Sequence, residues 1–220
     1  MTRKQHADFV QEFDSLLLST GRDGVQGLLQ YLKTTDFYKA PASAQYHGSY
    51  PGGLLEHSLM VYHILERKCT DPIWQAAQFD PASLIIVALL HDLRKINVFT
   101  EKIQNQKIYT KKAVAAADPS QVKEDALGAY IWESVRKYYY NDALPLGRSE
   151  KSLILAMRYV TLTDDEIYAI RWGEGFGDAE AYKSQICQAF EVCPLALALY
   201  ESDMEASFCR RIAAAVTTAA

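Results

Sequence analysis

The chain has 220 residues, 49% of them hydrophobic, and a formal net charge of −4 at pH 7. This size supports one substantial core, and the negative charge argues against a nucleic-acid-binding protein that relies on a global positive field. The four cysteines form no CxxC pair, and no segment approaches the roughly 20 apolar residues of a membrane span, so we expect a cytoplasmic protein with reduced thiols and no membrane partner.

Helical periodicity recurs along most of the chain. Apolar residues at helical spacing predict a helix over 3–18 and, with Asp23 as its N-cap, a second helix over 24–32. Further helices are predicted over residues 53–68, 81–93, 149–160, 164–172 and 194–216. The helix at 164 has the clearest start, because Thr163 and Glu166 form a T-x-x-E capping box.

Residues 96–145 have a less regular pattern. The run INVFTEKIQNQKIYTKK alternates around a polar middle, and VRKYYY follows later, so the pattern is compatible with a small β-hairpin inserted here. Elsewhere most segments are predicted as helices, and the proline- and glycine-rich run over 38–53 is predicted as an ordered loop. The sequence therefore predicts an all-α helical bundle forming a single domain over 1–220, with its core over about 25–210.

Three helices each carry ionisable residues on or beside a mainly apolar face: His57, the His91–Asp92 pair and Asp203. Taken singly, each has an ordinary explanation, such as a hydrogen-bonded core histidine or a solvated aspartate at a helix end. Together they indicate a metal site, because a cation removes the cost of burying imidazoles and carboxylates. Two nitrogen and two oxygen ligands suit one divalent transition metal (manganese, iron, cobalt, nickel or zinc), and octahedral coordination would leave about two positions for water or substrate.

Lys95 follows His91 by four residues, which places it one helical turn further along the same face. A cation there would hold a phosphate oxygen beside the metal, although a lysine that stabilises a helix C-terminus fits equally well. The segment from Arg94 to Lys112 contains six basic residues and one acidic residue. This charge pattern fits a solvated hairpin face or, alternatively, a rim that attracts anions.

These residues together resemble the HD-domain superfamily of metal-dependent phosphohydrolases, whose pattern is a histidine, a His-Asp pair and a late aspartate. The runs APASAQYHGSYPGGLLEHSLMVYHIL, ALLHDLRKINVF, LPLGRSEKSLILA and LTDDEIYAIRW look like one bacterial subgroup of HD hydrolases, which is also similar to the HD domain of a bacterial three-prime exoribonuclease. The resemblance implies an all-helical HD fold in which a metal-activated water attacks the phosphorus of a phosphoester. Lys95 matches the lysine that often follows the HD pair.

Two positions depart from the pattern of this subgroup. Related sequences tend to have histidine where this chain has Arg148 and Gly173, and the resemblance implies that such histidines bind a second metal. We therefore expect a mononuclear site held by His57, His91, Asp92 and Asp203. Arg148 would supply a phosphate-binding guanidinium or lie on the surface, and Glu174 is a weaker candidate for a substitute ligand.

The sequence thus favours a phosphohydrolase in which Asp92 and Lys95 act at the reaction centre. Lys95, Arg148 and the loop residue His47 are the candidates for substrate binding. The expected substrate is a small phosphate ester, with a nucleotide favoured over nucleic acid because the net charge is negative. The alternative is a nucleotide-binding or regulatory module on a degenerate HD scaffold, and a nuclease acting on single-stranded ends ranks third.

Overall fold

The computed structural model describes residues 2–177 and 183–209. Within these ranges it contains ten α-helices and three β-strands. In chain order they are α1 (Arg3–Ser19), α2 (Val25–Lys33), α3 (Gly53–Lys68), α4 (Pro72–Gln75), α5 (Pro81–Leu90), β1 (Phe99–Ile108), α6 (Lys111–Ala116), β2 (Lys123–Asp125), β3 (Gly128–Tyr140), α7 (Ser149–Met157), α8 (Asp164–Trp172), α9 (Lys183–Val192) and α10 (Pro194–Phe208). Of these, α4, α6, α9 and β2 were not predicted from the sequence.

The all-α prediction is wrong, because the chain is 56% helical and also contains a three-stranded antiparallel sheet. The strand order is β1-β3-β2, with β1 paired to β3 from Phe99–Tyr140 at one end to Ile108–Ile131 at the other. The two candidate strand runs therefore pair with each other across residues 109–127. Both faces of this long ribbon are largely exposed, so the sequence lacks the clean apolar alternation of a sheet that covers a core.

The hydrophobic core lies among the helices. Its buried residues come from the segments before and after the sheet, and no described residue from 97 to 152 belongs to it. Helix α5 contributes most continuously, since every residue from Ser83 to Leu90 is buried. Helix α3 packs against α5 and α10, and α10 also packs against α8. These contacts bring together the three helices that carry the candidate ligands.

Two helix ends near the candidate site differ from the prediction. Helix α5 ends at Leu90 rather than at residue 93, with His91 as its C-cap and a short 3-10 helix over Leu93–Lys95. The last helix ends at Phe208, while the predicted segment 210–216 lies outside the described residues. Across the part of the chain that the structure describes, we find no helix whose length and apolarity would let it cross a membrane.

Candidate metal centre

Each candidate ligand is positioned by a packed helix. His57 lies on the inner face of α3 between the fully buried Leu54 and Val61 and is itself only 2% exposed. Asp203 lies on α10 one turn before the buried Ala206. The helical spacing seen in the sequence therefore places both side chains on the inward faces of their helices, as predicted.

His91 is oriented by the end of α5. Its Nδ1 atom lies 2.8 Å from the carbonyl oxygen of Ala88. A carbonyl oxygen can only accept, so Nδ1 is the donor and the neutral ring has its lone pair on Nε2. This hydrogen bond fixes the ring and presents to the site the nitrogen that a metal ion requires.

The side chains of His57, His91 and Asp203 converge. Each offers one ligand atom, and these atoms all lie within 4.8 Å of one another. Asp203 Oδ1 is 2.9 Å from His57 Nε2 and 4.0 Å from His91 Nε2. The group can therefore hold a metal ion, and its three members come from three helices that are far apart in the sequence.

The hydrogen bonding of the two histidine Nε2 atoms shows whether these residues fit a metal ion. His57 Nε2 and His91 Nε2 are both buried, and neither has a hydrogen-bond partner among the residues that the structure describes. Asp203 Oδ1 approaches His57 Nε2 to 2.9 Å, but the angles of this contact are not those of a hydrogen bond. Two buried imidazole nitrogens without hydrogen-bond partners, beside a carboxylate, are the donor set of a divalent cation, so the residues fit one.

Asp92 lies beside this group but is not one of its three members. Its Oδ2 atom is 3.5 Å from His57 Nε2 and 3.4 Å from His91 Nε2. The same oxygen forms an ion pair with Lys95 Nζ at 2.5 Å, and Arg94 Nε lies 3.4 Å from the other carboxylate oxygen. Two cations therefore hold Asp92 at the edge of the site, and the fourth ligand expected from the sequence remains a prediction.

The charges of the site influence one another strongly. Burial acts to raise the pKa of Asp203, but the close His57 and His91 imidazoles outweigh it and lower that pKa to about 2. Lys95, His91 and Arg94 hold the pKa of Asp92 well below its usual range despite its burial. Both carboxylates are therefore ionised at neutral pH, which is the form that binds a cation.

The pKa values of the two histidines are shifted in opposite directions. Burial lowers the pKa of His57 by more than the nearby Asp203 raises it. Burial also acts to lower the pKa of His91, but Asp92 and Asp203 outweigh burial and raise it. A metal ion would therefore compete with a proton at His91 Nε2.

A second group of charged side chains lies next to Asp92. The sequence predicted only part of this group. Glu174 Oε1 lies 2.6 Å from Arg94 Nε, and Glu174 Oε2 lies 3.3 Å from Arg148 Nη1. Glu174 is thus held by two arginines, and none of the three belongs to the ligand group. Arg94 was missed as a site residue, although its position two residues after Asp92 is the signal that would have found it.

The glycine at position 173 is accommodated by close packing. A Cβ atom there would lie 2.8 Å from the carbonyl oxygen of Ala169 and 2.9 Å from Leu199 Cδ2. Any larger side chain would require α8 and α10 to shift. The structure therefore explains why this position bears no ligand side chain.

His47 lies at the site because its loop packs tightly against the start of α3. A Cβ atom on Gly53 would lie 2.0 Å from the carbonyl oxygen of Gly48, so glycine is required for this approach. The ring centroids of His47 and His57 are consequently 4.9 Å apart. Burial, followed by the charges of His57 and Lys95, lowers the pKa of His47 to about 4, so its ring is neutral at neutral pH.

Comparison of the chain with protein-family models, with curated proteins and with solved structures found no match. The geometry of the described side chains is therefore the main support for assigning a function.

Proposed function

We propose that the chain is a mononuclear, metal-dependent phosphohydrolase that cleaves a small phosphate ester. The observation that carries the proposal is the convergence of His57, His91 and Asp203, with two buried imidazole nitrogens that lack hydrogen-bond partners. The HD-like order of these residues along the chain also supports it. Asp92 would complete the ligand set after exchanging part of its ion pairing with Lys95.

The surrounding residues suit reaction at phosphorus. A divalent ion, when bound, would supply Lewis-acid activation of water. His91 is oriented by the Ala88 carbonyl, and burial of the site excludes bulk water from His57 and His91. Lys95 Nζ lies at the edge of the ligand group, where it would stabilise negative charge that develops on phosphoryl oxygens.

One metal ion rather than two is favoured by the charges next to Asp92. The guanidinium groups of Arg94 and Arg148 both lie against Glu174, and Gly173 contributes no ligand. A second cation near these arginines would meet electrostatic repulsion. The proposed stoichiometry is therefore one metal ion per chain.

The proposal is tested by metal analysis of the purified protein, combined with assays of model phosphomonoesters, phosphodiesters and nucleotides in added manganese, nickel or cobalt. We expect about one ion per chain in the wild type. The variant His57→Ala should lose both the ion and turnover, because it removes a buried ligand. His63→Ala is the matched control, since His63 lies on the same helix but is exposed and paired with Glu12.

Failure of both wild type and control to retain any ion or turn over any ester would refute the proposal. A second candidate function, a nucleotide-binding module without turnover, is favoured by one observation: Lys95 and Arg94 already neutralise Asp92. Stoichiometric nucleotide binding without retained metal would support that candidate instead.

A further inference from the structure

A cavity of about 370 Å³ lies between the loop that carries His47 and the end of the sheet ribbon. Its walls are Ala44, Gln45 and Ser49 of the loop and the four consecutive residues 136–139 of β3. This volume falls within the roughly 300–1,000 Å³ typical of small-molecule sites. The same loop also carries His47, whose ring centroid lies 4.9 Å from that of His57, so one loop contributes both to the cavity and to the surroundings of the candidate metal centre.

The ribbon carries an unusual pair of like charges at this cavity. Lys102 of β1 and Lys137 of β3 lie directly opposite each other in the strand register, so their side chains share one face of the sheet. Like charges at such positions destabilise a sheet. Neither lysine makes an ion pair with any residue in the ranges that the structure describes, and Lys137 lines the cavity.

The nearby acidic side chain does not neutralise these lysines. Glu101 is paired with Arg136 Nε at 3.0 Å, and Arg136 lies on the opposite face of the ribbon from Lys137. No carboxylate among the described residues pairs with either lysine, so both positive charges remain available, that of Lys102 beside the ring of Tyr139. An anionic ligand would relieve their repulsion.

An aromatic surface lies next to the two lysines. Tyr139 lines the cavity, is 38% exposed, and shares the sheet face of Lys102 and Lys137. The ammonium group of Lys102 lies 5.2 Å from the centroid of the Tyr139 ring. A flat ring can stack on exposed tyrosine while the ammonium groups hold a neighbouring anion.

We propose that this cavity binds a nucleoside phosphate, with its phosphate held by Lys102 and Lys137 and its base against Tyr139. The assignment rests on the proposed function, because it names the substrate class that would reach the same centre. A peptide carboxylate would use the lysines but would leave the aromatic surface unused. A free nucleotide and the terminal nucleotide of a single strand offer the same chemistry, so the experiment compares both.

Binding is measured by calorimetry with adenosine 5′-monophosphate and with a five-nucleotide single-stranded RNA, in EDTA to prevent turnover. We expect the double variant Lys102→Gln/Lys137→Gln to raise Kd about tenfold or more for the ligand that the wild type binds, since two charge-assisted contacts are lost. Tyr139→Ala should raise Kd about tenfold, because one stacking contact is removed. Tighter binding of the RNA than of the mononucleotide would identify a strand end as the ligand.

The control is Lys111→Gln/Lys112→Gln, which removes the same charge from the exposed helix α6. It should leave Kd within twofold of the wild type. An equal loss of binding in the control, unchanged binding in the cavity variants, or absence of binding by the wild type would overturn the proposal. The lysine variant should unfold at a temperature no lower than the wild type, because it relieves repulsion, so lost binding would not reflect lost folding.

Nucleotide binding measured in EDTA does not depend on whether the chain holds a metal ion. Nucleotide binding that depends on the lysines, in a chain that retains no ion, would refute the phosphohydrolase and leave the cavity assignment standing. Metal-dependent turnover of model esters, with no nucleotide bound in the cavity, would support the phosphohydrolase and refute the cavity assignment.

Discussion

At the residue scale, the carboxylate of Glu166 shows how a charge far from the metal centre stabilises the fold. Glu166 has no exposed surface. It receives hydrogen bonds from Arg22 at 2.6 and 3.3 Å and from Ser83 Oγ at 2.7 Å. It also completes the capping box with Thr163 that the sequence predicted. One side chain thereby ties the start of α8 to α5 and to the segment after α1.

Removal of this carboxylate should be costly. We expect Glu166→Ala to lower the free energy of unfolding by about 3 kcal/mol, because Arg22 and Ser83 lose their partner and the cap is broken. Urea unfolding measures this loss as a lower midpoint. The exposed neighbour Asp165 is the control, and Asp165→Ala should change stability by less than about 0.5 kcal/mol. A loss below about 1 kcal/mol for Glu166→Ala would contradict this account.

The environment of single residues also explains why the candidate metal centre is suited to a cation. Burial without hydrogen-bond partners makes the two Nε2 atoms of His57 and His91 energetically unfavourable as they stand. A cation would satisfy both atoms together with Asp203. Lys95 and Arg94 perform the corresponding task for Asp92, whose Oδ2 atom also lies 3.4 Å from His91 Nε2.

At the element scale, the start of α2 depends on backbone conformation rather than on a side-chain cap. Asp23 was predicted as the N-cap of α2, and this prediction is wrong. The N-cap is Gly24, whose φ of 85° lies in the left-handed region. A Cβ atom there would lie 1.8 Å from the carbonyl oxygen of Tyr159. Glycine is therefore required both for its conformation and for the close approach of α2 to the end of α7.

A comparison of two glycines separates the cost of a left-handed backbone conformation from the cost of a steric clash. Gly21 also has a positive φ, of 63°, but a Cβ atom there would meet nothing within 4 Å. We expect Gly21→Ala to cost about 1 kcal/mol of strain and Gly24→Ala about 3 kcal/mol or more, because the latter adds a clash with backbone. Thermal and urea unfolding of both variants measure the difference. Equal destabilisation would show that the contact with Tyr159 is unimportant.

At the scale of the whole molecule, the sheet is separate from the core that positions the candidate metal centre. No described residue from 97 to 152 joins the core cluster, and the backbone of Asn141 donates to Val98 at the base of the ribbon. Glu101 lies opposite Tyr138 in the register. A two-residue Asn-Gly turn can therefore join these positions in place of residues 102–137.

We expect this shortened chain to unfold cooperatively, with a melting temperature within about 5 °C of the wild type, because the helical core is unchanged. It should retain metal but lose nucleotide binding, since it lacks Lys102 and Lys137. Circular dichroism, metal analysis and calorimetry measure the three properties. Loss of the metal or of cooperative unfolding would show that the ribbon is required by the helical core.

Local periodicity in the sequence was enough to predict several features of the helices and of the candidate site. The inward placement of His57 and Asp203 and the capping box at Thr163 follow from helical spacing, which is a short-range property of the chain. Three of the four residues predicted as ligands, His57, His91 and Asp203, belong to the group that could hold a metal ion. The single-domain assignment for 1–220 stays a prediction.

Contacts between residues that are distant in the sequence depend on how the whole chain folds. The pairing of β1 with β3, the approach of Glu174 to Arg94 and the position of Asp92 between two cations all join groups whose contact no local pattern encodes. The exposed ribbon lacked an apolar face, so its strands left only a weak periodic signal and the fold was expected to be all-α. Burial, charge pairing and strand register are properties of the folded chain, and they determined which predicted residues form the candidate site.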